Sequence, residues 1–227
     1  MITASACAKR EKLFWAIDDL LASLKALGVT VKLKTETSAE QILAMEPYAV
    51  VVATGGTPIL PRSIRGIELP HVCTAPDVIT GKTKVKGKEV VVVGSGMTGL
   101  ETAELLGKAG NRVTVVEMAD ELAPGAWFQL VDDEMEHLRQ YDVTFLTGKR
   151  LMKILLDEII LEDTKTSRLT TLPVDQVVLS LGVRPVSGLA AQLKGSLDRV
   201  YVVGDVSSGG TIANAVHNAY ETAINIH

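Results

Sequence analysis

Gly94-Ser95-Gly96-Met97-Thr98-Gly99 places glycine at the first, third and sixth positions of a stretch that directly follows four consecutive valines at 90–93. A turn spaced this way bends tightly at Gly94 and lets the backbone at Gly96 come close to a ligand with no Cβ between them. It also lets the following helix pack closely at Gly99. Free N–H groups and the helix dipole at that N-terminus attract negative charge, above all a diphosphate. Eighteen positions beyond Gly99, Glu117 ends the next apolar run. A carboxylate there accepts hydrogen bonds from ribose hydroxyls and repels a 2′-phosphate, and Met118 and Ala119 supply no cation to rescue one. The pattern predicts a dinucleotide site that prefers NAD(H) to NADP(H). The alternatives are an empty tight turn and a carboxylate that only solvates a strand end.

The elements that must hold these residues follow from periodicity. Residues 89–93 read as a strand, 100–109 as a helix stopped by Gly110, and 112–117 as a second strand, giving a β-turn-α-β unit. Residues 129–140 read as a helix, 143–146 as a strand, and 151–172 as an antiparallel meander with a tight Asp157-Glu158 connection. Residues 177–181 form a further apolar strand. Upstream, Leu13, Ile17, Leu20, Leu21, Leu24 and Leu27 mark a helix face that stops at Gly28. Residues 29–33 alternate as a short strand. Ser38 and Gln41 form a capping box for a short helix through Met45. Residues 48–53 read as a strand buried on both faces. Trp15 and Trp127 are expected to pack rather than stack on a ligand. At the far end, residues 200–203 form a strand closed by Gly204-Asp205, and a helix starts near Thr211.

Composition bounds the function. With 47% apolar and 22% charged residues over 227, the chain is long enough for one large domain or two interleaved ones. A net charge of −4 offers no basic face to nucleic acid. Cys7 and Cys73 lie too far apart in sequence for a disulfide framework or a metal motif, and the four histidines show no ligand spacing. No metal site is therefore expected. No apolar run reaches membrane length and no leader pattern opens the chain, so a soluble, cytoplasmic protein is expected.

Further motifs stand in a telling order. Ala53-Thr54-Gly55-Gly56-Thr57-Pro58 resembles the ATG-x-x-P segment of flavoproteins with two dinucleotide-binding domains. Tyr201-Val202-Val203-Gly204-Asp205 resembles their later GD motif, and Leu181-Gly182-Val183-Arg184-Pro185 their L-G-x-R-P. With the glycine turn and Glu117 between them, the chain resembles the pyridine nucleotide-disulfide oxidoreductase superfamily. Within it, the run from Gly94 to Glu104 and the strand ending Glu117-Met118 look most like the C-terminal FAD/NAD(P)-binding part of the 2,4-dienoyl-CoA reductase and enoate reductase (NADH:flavin oxidoreductase) family. The resemblance covers nearly the whole chain.

It implies an α/β fold of two interleaved Rossmann-like, three-layer ββα/αβ dinucleotide-binding domains, the FAD domain incomplete. The expected division is 1–82 and 186–227 for the FAD domain, with 83–185 as the NAD(H) domain inserted between them. Family members carry an earlier GxGxxG for FAD and an N-terminal barrel with FMN and a 4Fe-4S cluster. This chain shows neither, so it is expected to be a fragment or one subunit, truncated at its N-terminus, with FAD held weakly or not at all.

The resemblance also implies roles. Ala53, Thr54, Gly55, Gly182, Gly204 and Asp205 would line the cofactors, with Asp205 facing the FAD ribitol. The amides of Thr211, Ile212 and Ala213 would face the electron-rich end of the flavin. Asp205 could equally be a turn residue with an Asx cap. Glu101 would approach the nicotinamide or be an exposed helix glutamate, and His217 is expected to be a helix-face histidine. Hydride passes directly between the two cofactors, so no catalytic acid or base is expected. The absence of a Cys pair argues against electrons leaving through a disulfide.

Two functions then compete. One is an NADH:flavin oxidoreductase module that feeds an FMN/iron–sulfur domain or subunit reducing an enoate or enoyl-CoA double bond. The other is a non-catalytic ADP-binding module, as the resemblance implies for the trimethylamine dehydrogenase branch. A single-domain NAD dehydrogenase would need a Tyr-x-x-x-Lys pair, and none is found. An unpaired strand edge would favour a homo-oligomer.

Overall fold

The computed structural model describes residues 12–207 and 209–226. Its elements run α1 (Lys12–Ala26), α2 (Ala39–Leu43), β1 (Val50–Val52), β2 (Gly56–Pro58), β3 (Val72–Thr74) and α3 (Ala75–Ile79). Then come β4 (Glu89–Val93), α4 (Met97–Lys108), β5 (Arg112–Val116), α5 (Phe128–Leu138), β6 (Val143–Leu146) and β7 (Lys149–Ile154). The chain continues through β8 (Glu158–Asp163), β9 (Leu169–Pro173), β10 (Gln176–Leu179), β11 (Val183–Pro185), α6 (Gly188–Lys194), β12 (Val200–Val202) and α7 (Ile212–Ile224). Contacts divide the chain into two compact units. One contains Ile59–Leu181 with the start of α1, and the other contains Ala16–Pro58 with Gly182–His227.

The first unit is built on a five-stranded parallel sheet of order β3-β10-β4-β5-β6. Successive strand residues face opposite ways, and each face of β4 finds a different partner. Val90 and Val92 pack with Leu100, Ala103 and Leu106 of α4 and Leu138 of α5. Val91 and Val93 pack with Leu151, Ile154, Ile159 and Leu161 of the antiparallel meander β7-β8-β9. The sheet therefore lies between a helical layer and a second sheet, a three-layer ββα arrangement. Continuous valine suits a strand covered on both sides. The helix α4 starts three residues before its expected position, at Met97, because the glycine turn itself supplies the first helical turn.

Asn111 anchors the chain between α4 and β5. Its buried amide nitrogen donates to Val85 O at 3.0 Å and Leu106 O at 2.8 Å, while its side-chain oxygen accepts from Lys88 N at 3.1 Å. At the outer strand, Thr74 caps α3 reciprocally with Asp77, a capping box the sequence reading passed over.

The second unit pairs β1 and β12 in parallel and β2 and β11 antiparallel. Its small core gathers Ala39, Val52, Ala190 and Leu193. The Ser38–Gln41 capping box is present on α2, which ends at Leu43. Residues 29–33 are not a strand. The chain is irregular there, with a turn at 33–34, because the alternation has no neighbouring strand to pair with among the described residues. The run 48–53 is not buried on both faces either. Only 50–52 is strand, and Val51 is 47% exposed because, among the described residues, the small core covers the Val50–Val52 face of β1 and leaves the opposite face open. Trp15 and Trp127, expected to pack, are 61% and 67% exposed. Neither α1 nor α7 fully buries a side chain. Cys73 is a free thiol, and Cys7 lies outside the described residues. No helix among the described residues is long and apolar enough to cross a membrane.

Candidate nucleotide site

The glycine turn leaves β4 and enters α4 with backbone geometry that explains two of its glycines sterically. Gly94 has φ of 100°, which side-chain-bearing residues rarely adopt, and a Cβ there would lie 2.3 Å from the Ser180 carbonyl oxygen. A Cβ at Gly99 would lie 2.0 Å from the Gly94 carbonyl oxygen. These two are dictated by the fold. Gly96 is different: its φ of −55° is ordinary, and nothing stands within 4 Å of the place a Cβ would take. The space in front of Gly96 opens into a cavity of about 660 Å³, a size suited to a small-molecule ligand. Gly96 is also the N-cap of a twelve-residue helix, and no side chain caps it. Amide donors at an uncapped helix start beside an open cavity are what a phosphate group requires.

Glu117 lines the same cavity with Gly94 and Gly96, and it is 8% exposed. Its Oε2 accepts from the Ser95 amide and the Ser95 hydroxyl, both at 2.9 Å, and its Oε1 accepts from the Ala119 amide at 2.8 Å. Burial pushes this carboxyl up. The Ala119 and Ser95 amides and the Ser95 hydroxyl outweigh that, so it is held below its ordinary value of 4.5 and stays ionised. Its position at the end of β5, next to the uncapped helix start, brings one fixed negative charge and one positive dipole end to the same cavity.

The other expected contacts of the turn divide by placement. Ser95 is fully buried, with its hydroxyl turned inward. Met97 packs against the helix-side core, and Thr98 is exposed. Glu101 is buried rather than an exposed helix glutamate. The cavity also takes in residues that spacing alone did not reveal: Met118, Pro124, and Lys149 to Met152 from β7. Their approach depends on the meander folding over the sheet, which no local motif announces. Lys149 is paired with Asp163 at 2.8 Å, and Arg150 with Glu162, so both cations are already engaged.

In the second unit, β1 and β12 run side by side in parallel with Val52 opposite Val202. Ala53-Thr54-Gly55 and Gly204-Asp205 therefore emerge together at the carboxyl ends of adjacent strands, where open α/β sheets bind ligands. The Thr54 hydroxyl donates to Val186 O at 2.8 Å, and the Gly204 amide donates to the Asn218 side chain at 3.3 Å. Asp205 lies in a 3₁₀ turn. Thr211 caps α7 by accepting from the Asn214 amide, which leaves Ile212 and Ala213 in the first turn. Gly182, at φ of 83°, precedes β11. His217 is exposed and pairs with Glu221 at 3.2 Å, as a helix-face histidine.

One grouping escaped sequence reading. Glu134 and His137, three apart on α5, meet Glu104 of α4 with one atom of each within 4.8 Å of the others. The i, i+3 spacing was a usable signal, although the long gap to Glu104 hid the third member.

Comparison with known proteins agrees with this geometry. The pyridine nucleotide-disulphide oxidoreductase family model matches residues 25–223. The chain is 35% identical to an NADH oxidase of Thermoanaerobacter brockii across 97% of this chain and 34% of that protein. It is 34% identical to a bilirubin reductase of Mediterraneibacter gnavus (strain CC55_001C), with the same two shares. A solved 2-naphthoyl-CoA reductase in complex with 2-naphthoyl-CoA superposes with a TM-score of 0.89 and 25% identity, over 99% of this chain and 34% of that one. The chain thus spans about a third of the length of these relatives. Sequence and three-layer fold agree: this chain belongs to the pyridine nucleotide-disulphide oxidoreductase family.

Proposed function

We propose that this chain is the nucleotide-binding part of a flavin-dependent NADH oxidoreductase. It would take hydride from NADH to FAD and pass electrons to an FMN/iron–sulfur domain or subunit that reduces an enoate or enoyl-CoA type double bond. The observation that carries the reading is the meeting of an uncapped helix start and an ionised strand-end carboxylate at one cavity. In that reading the α4 start and Gly96 hold the diphosphate of NAD(H), and Glu117 receives the adenosine ribose. Ala53, Thr54, Gly55, Gly182, Gly204, Asp205 and the first turn of α7 serve FAD. When bound, the nicotinamide supplies the hydride and the flavin accepts it. The protein contributes orientation and a fixed electrostatic field, with no side chain acting as acid or base.

The expected division, 83–185 for NAD(H) with 1–82 and 186–227 for FAD, is carried with one adjustment: residues 59–82, including β3, pack with the NAD(H)-side sheet. A relative named as an NADH oxidase supports NADH as the donor. Preference for NADH over NADPH rests on the Glu117 charge, and on Lys149 and Arg150 being neutralised by their own partners. FAD is expected to bind weakly, because one face of β1 is open among the described residues, with Val51 47% exposed.

Anaerobic mixing of NADH with FAD-reconstituted protein tests the proposal. Loss of the oxidised flavin absorbance band supports it. A flavin that stays oxidised while ADP still binds assigns the chain instead to the nucleotide-holding, non-catalytic class.

A further inference from the structure

Ser95 occupies the second position of the glycine turn, where a contact with the nucleotide is the natural expectation, yet its side chain is fully buried. Its hydroxyl makes two hydrogen bonds of opposite sense. It accepts from the Ala123 amide at 3.0 Å and lies 2.9 Å from Glu117 Oε2. A backbone N–H can only donate, so the single hydroxyl proton is free to go to Glu117. The Ser95 amide also donates to Oε2, and the Ala119 amide donates to Oε1. These donors, with the Met118 amide beside them, converge on one carboxyl group and hold it as an acceptor at the cavity wall. The Ala123 bond ties the same hydroxyl to a second wall. Ala123 is buried with φ of 47°, and its neighbour Pro124 lines the cavity. The other charged groups lining the cavity, Lys149 and Arg150, are held by Asp163 and Glu162.

We propose that Ser95 is a positioning residue that sets nucleotide preference without touching the nucleotide. Its buried hydroxyl fixes the Glu117 carboxylate as an acceptor aimed into the cavity, and it pins the 119–125 loop at Ala123. This rests on the dinucleotide reading above and adds the residue through which Glu117 discriminates a ribose hydroxyl from a 2′-phosphate.

Calorimetric titration of the full chain with NADH and NADPH from pH 4 to 8 tests it. Ser95→Ala is expected to weaken NADH about tenfold, near the low end for a hydrogen bond to a charged group. NADPH should change less, so the ratio of the two constants shrinks. The acid limb of NADH binding should move to higher pH, because the ionised carboxyl has lost a donor. In a Glu117→Gln background, Ser95→Ala should have no further effect on NADH. Unchanged affinity and pH profile in Ser95→Ala overturn the inference alone, as do losses that simply add in the double variant. A wild-type chain that gives no heat with either nucleotide overturns the dinucleotide reading and this inference with it. Should Ser95→Ala not fold, Ser95→Cys, which keeps the shape but donates weakly, is read the same way. A weaker NADH affinity supports the inference, and wild-type affinity and pH profile overturn it.

Discussion

Gly96→Ala separates what the fold requires from what the ligand requires. The added methyl meets nothing within 4 Å, and φ of −55° suits alanine. Replacing glycine by alanine at an N-cap costs about 0.5–1 kcal/mol, while the stiffer unfolded chain returns about 0.4–1 kcal/mol. The two nearly cancel, so Tm should move by less than about 3 °C. The methyl does project into the space where the account places a diphosphate. Forcing a well-packed ligand aside costs about 1–3 kcal/mol, or roughly 5–150-fold in Kd. The paired controls behave oppositely. Gly94→Ala and Gly99→Ala each drive a Cβ to 2.3 Å and 2.0 Å from a backbone oxygen, so the main chain must shift. Each should cost about 3 kcal/mol or more, lowering Tm by about 10 °C. Circular dichroism melts and NADH calorimetry on the three variants read both effects. A Gly96→Ala protein that melts normally and binds NADH as wild type does would refute the assignment of that space to the diphosphate. A Gly94→Ala protein with wild-type Tm would refute the steric reading of the turn.

Other outcomes follow from the same structure. Asn111→Ala removes three hydrogen bonds to backbone groups around α4 and β5, which should cost about 3 kcal/mol and be visible in a urea melt. Glu117→Gln should lower affinity for NADH and raise that for NADPH, shifting their ratio about tenfold, as measured by fluorescence titration. Glu117, Asp77 and Asp163 are all held below their ordinary values. Their contribution is thus present above the unfolded carboxylate range and lost as pH falls through the folded midpoints. Tm should therefore decline below about pH 4.5, and Glu117→Gln should soften that decline. The exposed Leu20, Leu21 and Leu24 of α1 and Val216, Tyr220 and Ile224 of α7 should make this chain self-associate. Sedimentation velocity showing only monomer at tens of micromolar would contradict that.

Much of the first unit was legible because its signals are local. Four valines, a glycine turn with one allowed spacing and a carboxylate at the next strand end determine a β-α-β unit almost independently of the rest. The meander was visible for the same reason, since Asp157-Glu158 joins neighbouring strands. The second unit was less legible. Its strand β1 depends on β12, and β2 on β11, partners more than a hundred residues away, so apolar runs such as 29–33 and 48–53 gave a pattern without a pairing. At the site, Gly94, Gly96 and Glu117 were readable as a constellation. The inward turn of the Ser95 hydroxyl was not, because it depends on where Ala123 returns to the sheet. Lys149 and Arg150 reach the cavity only because β7 folds back over the strands, a tertiary event with no sequence motif.

The central claim is that the Gly94–Gly99 turn and Glu117 together hold an NAD(H) molecule. Calorimetry of the well-folded chain against NADH, NADPH, ADP and FAD at low ionic strength tests it most directly. The account predicts saturable heat with NADH, weaker binding of NADPH, measurable binding of ADP and little with FAD. Silence with all four ligands, or NADPH binding more tightly than NADH, would contradict it.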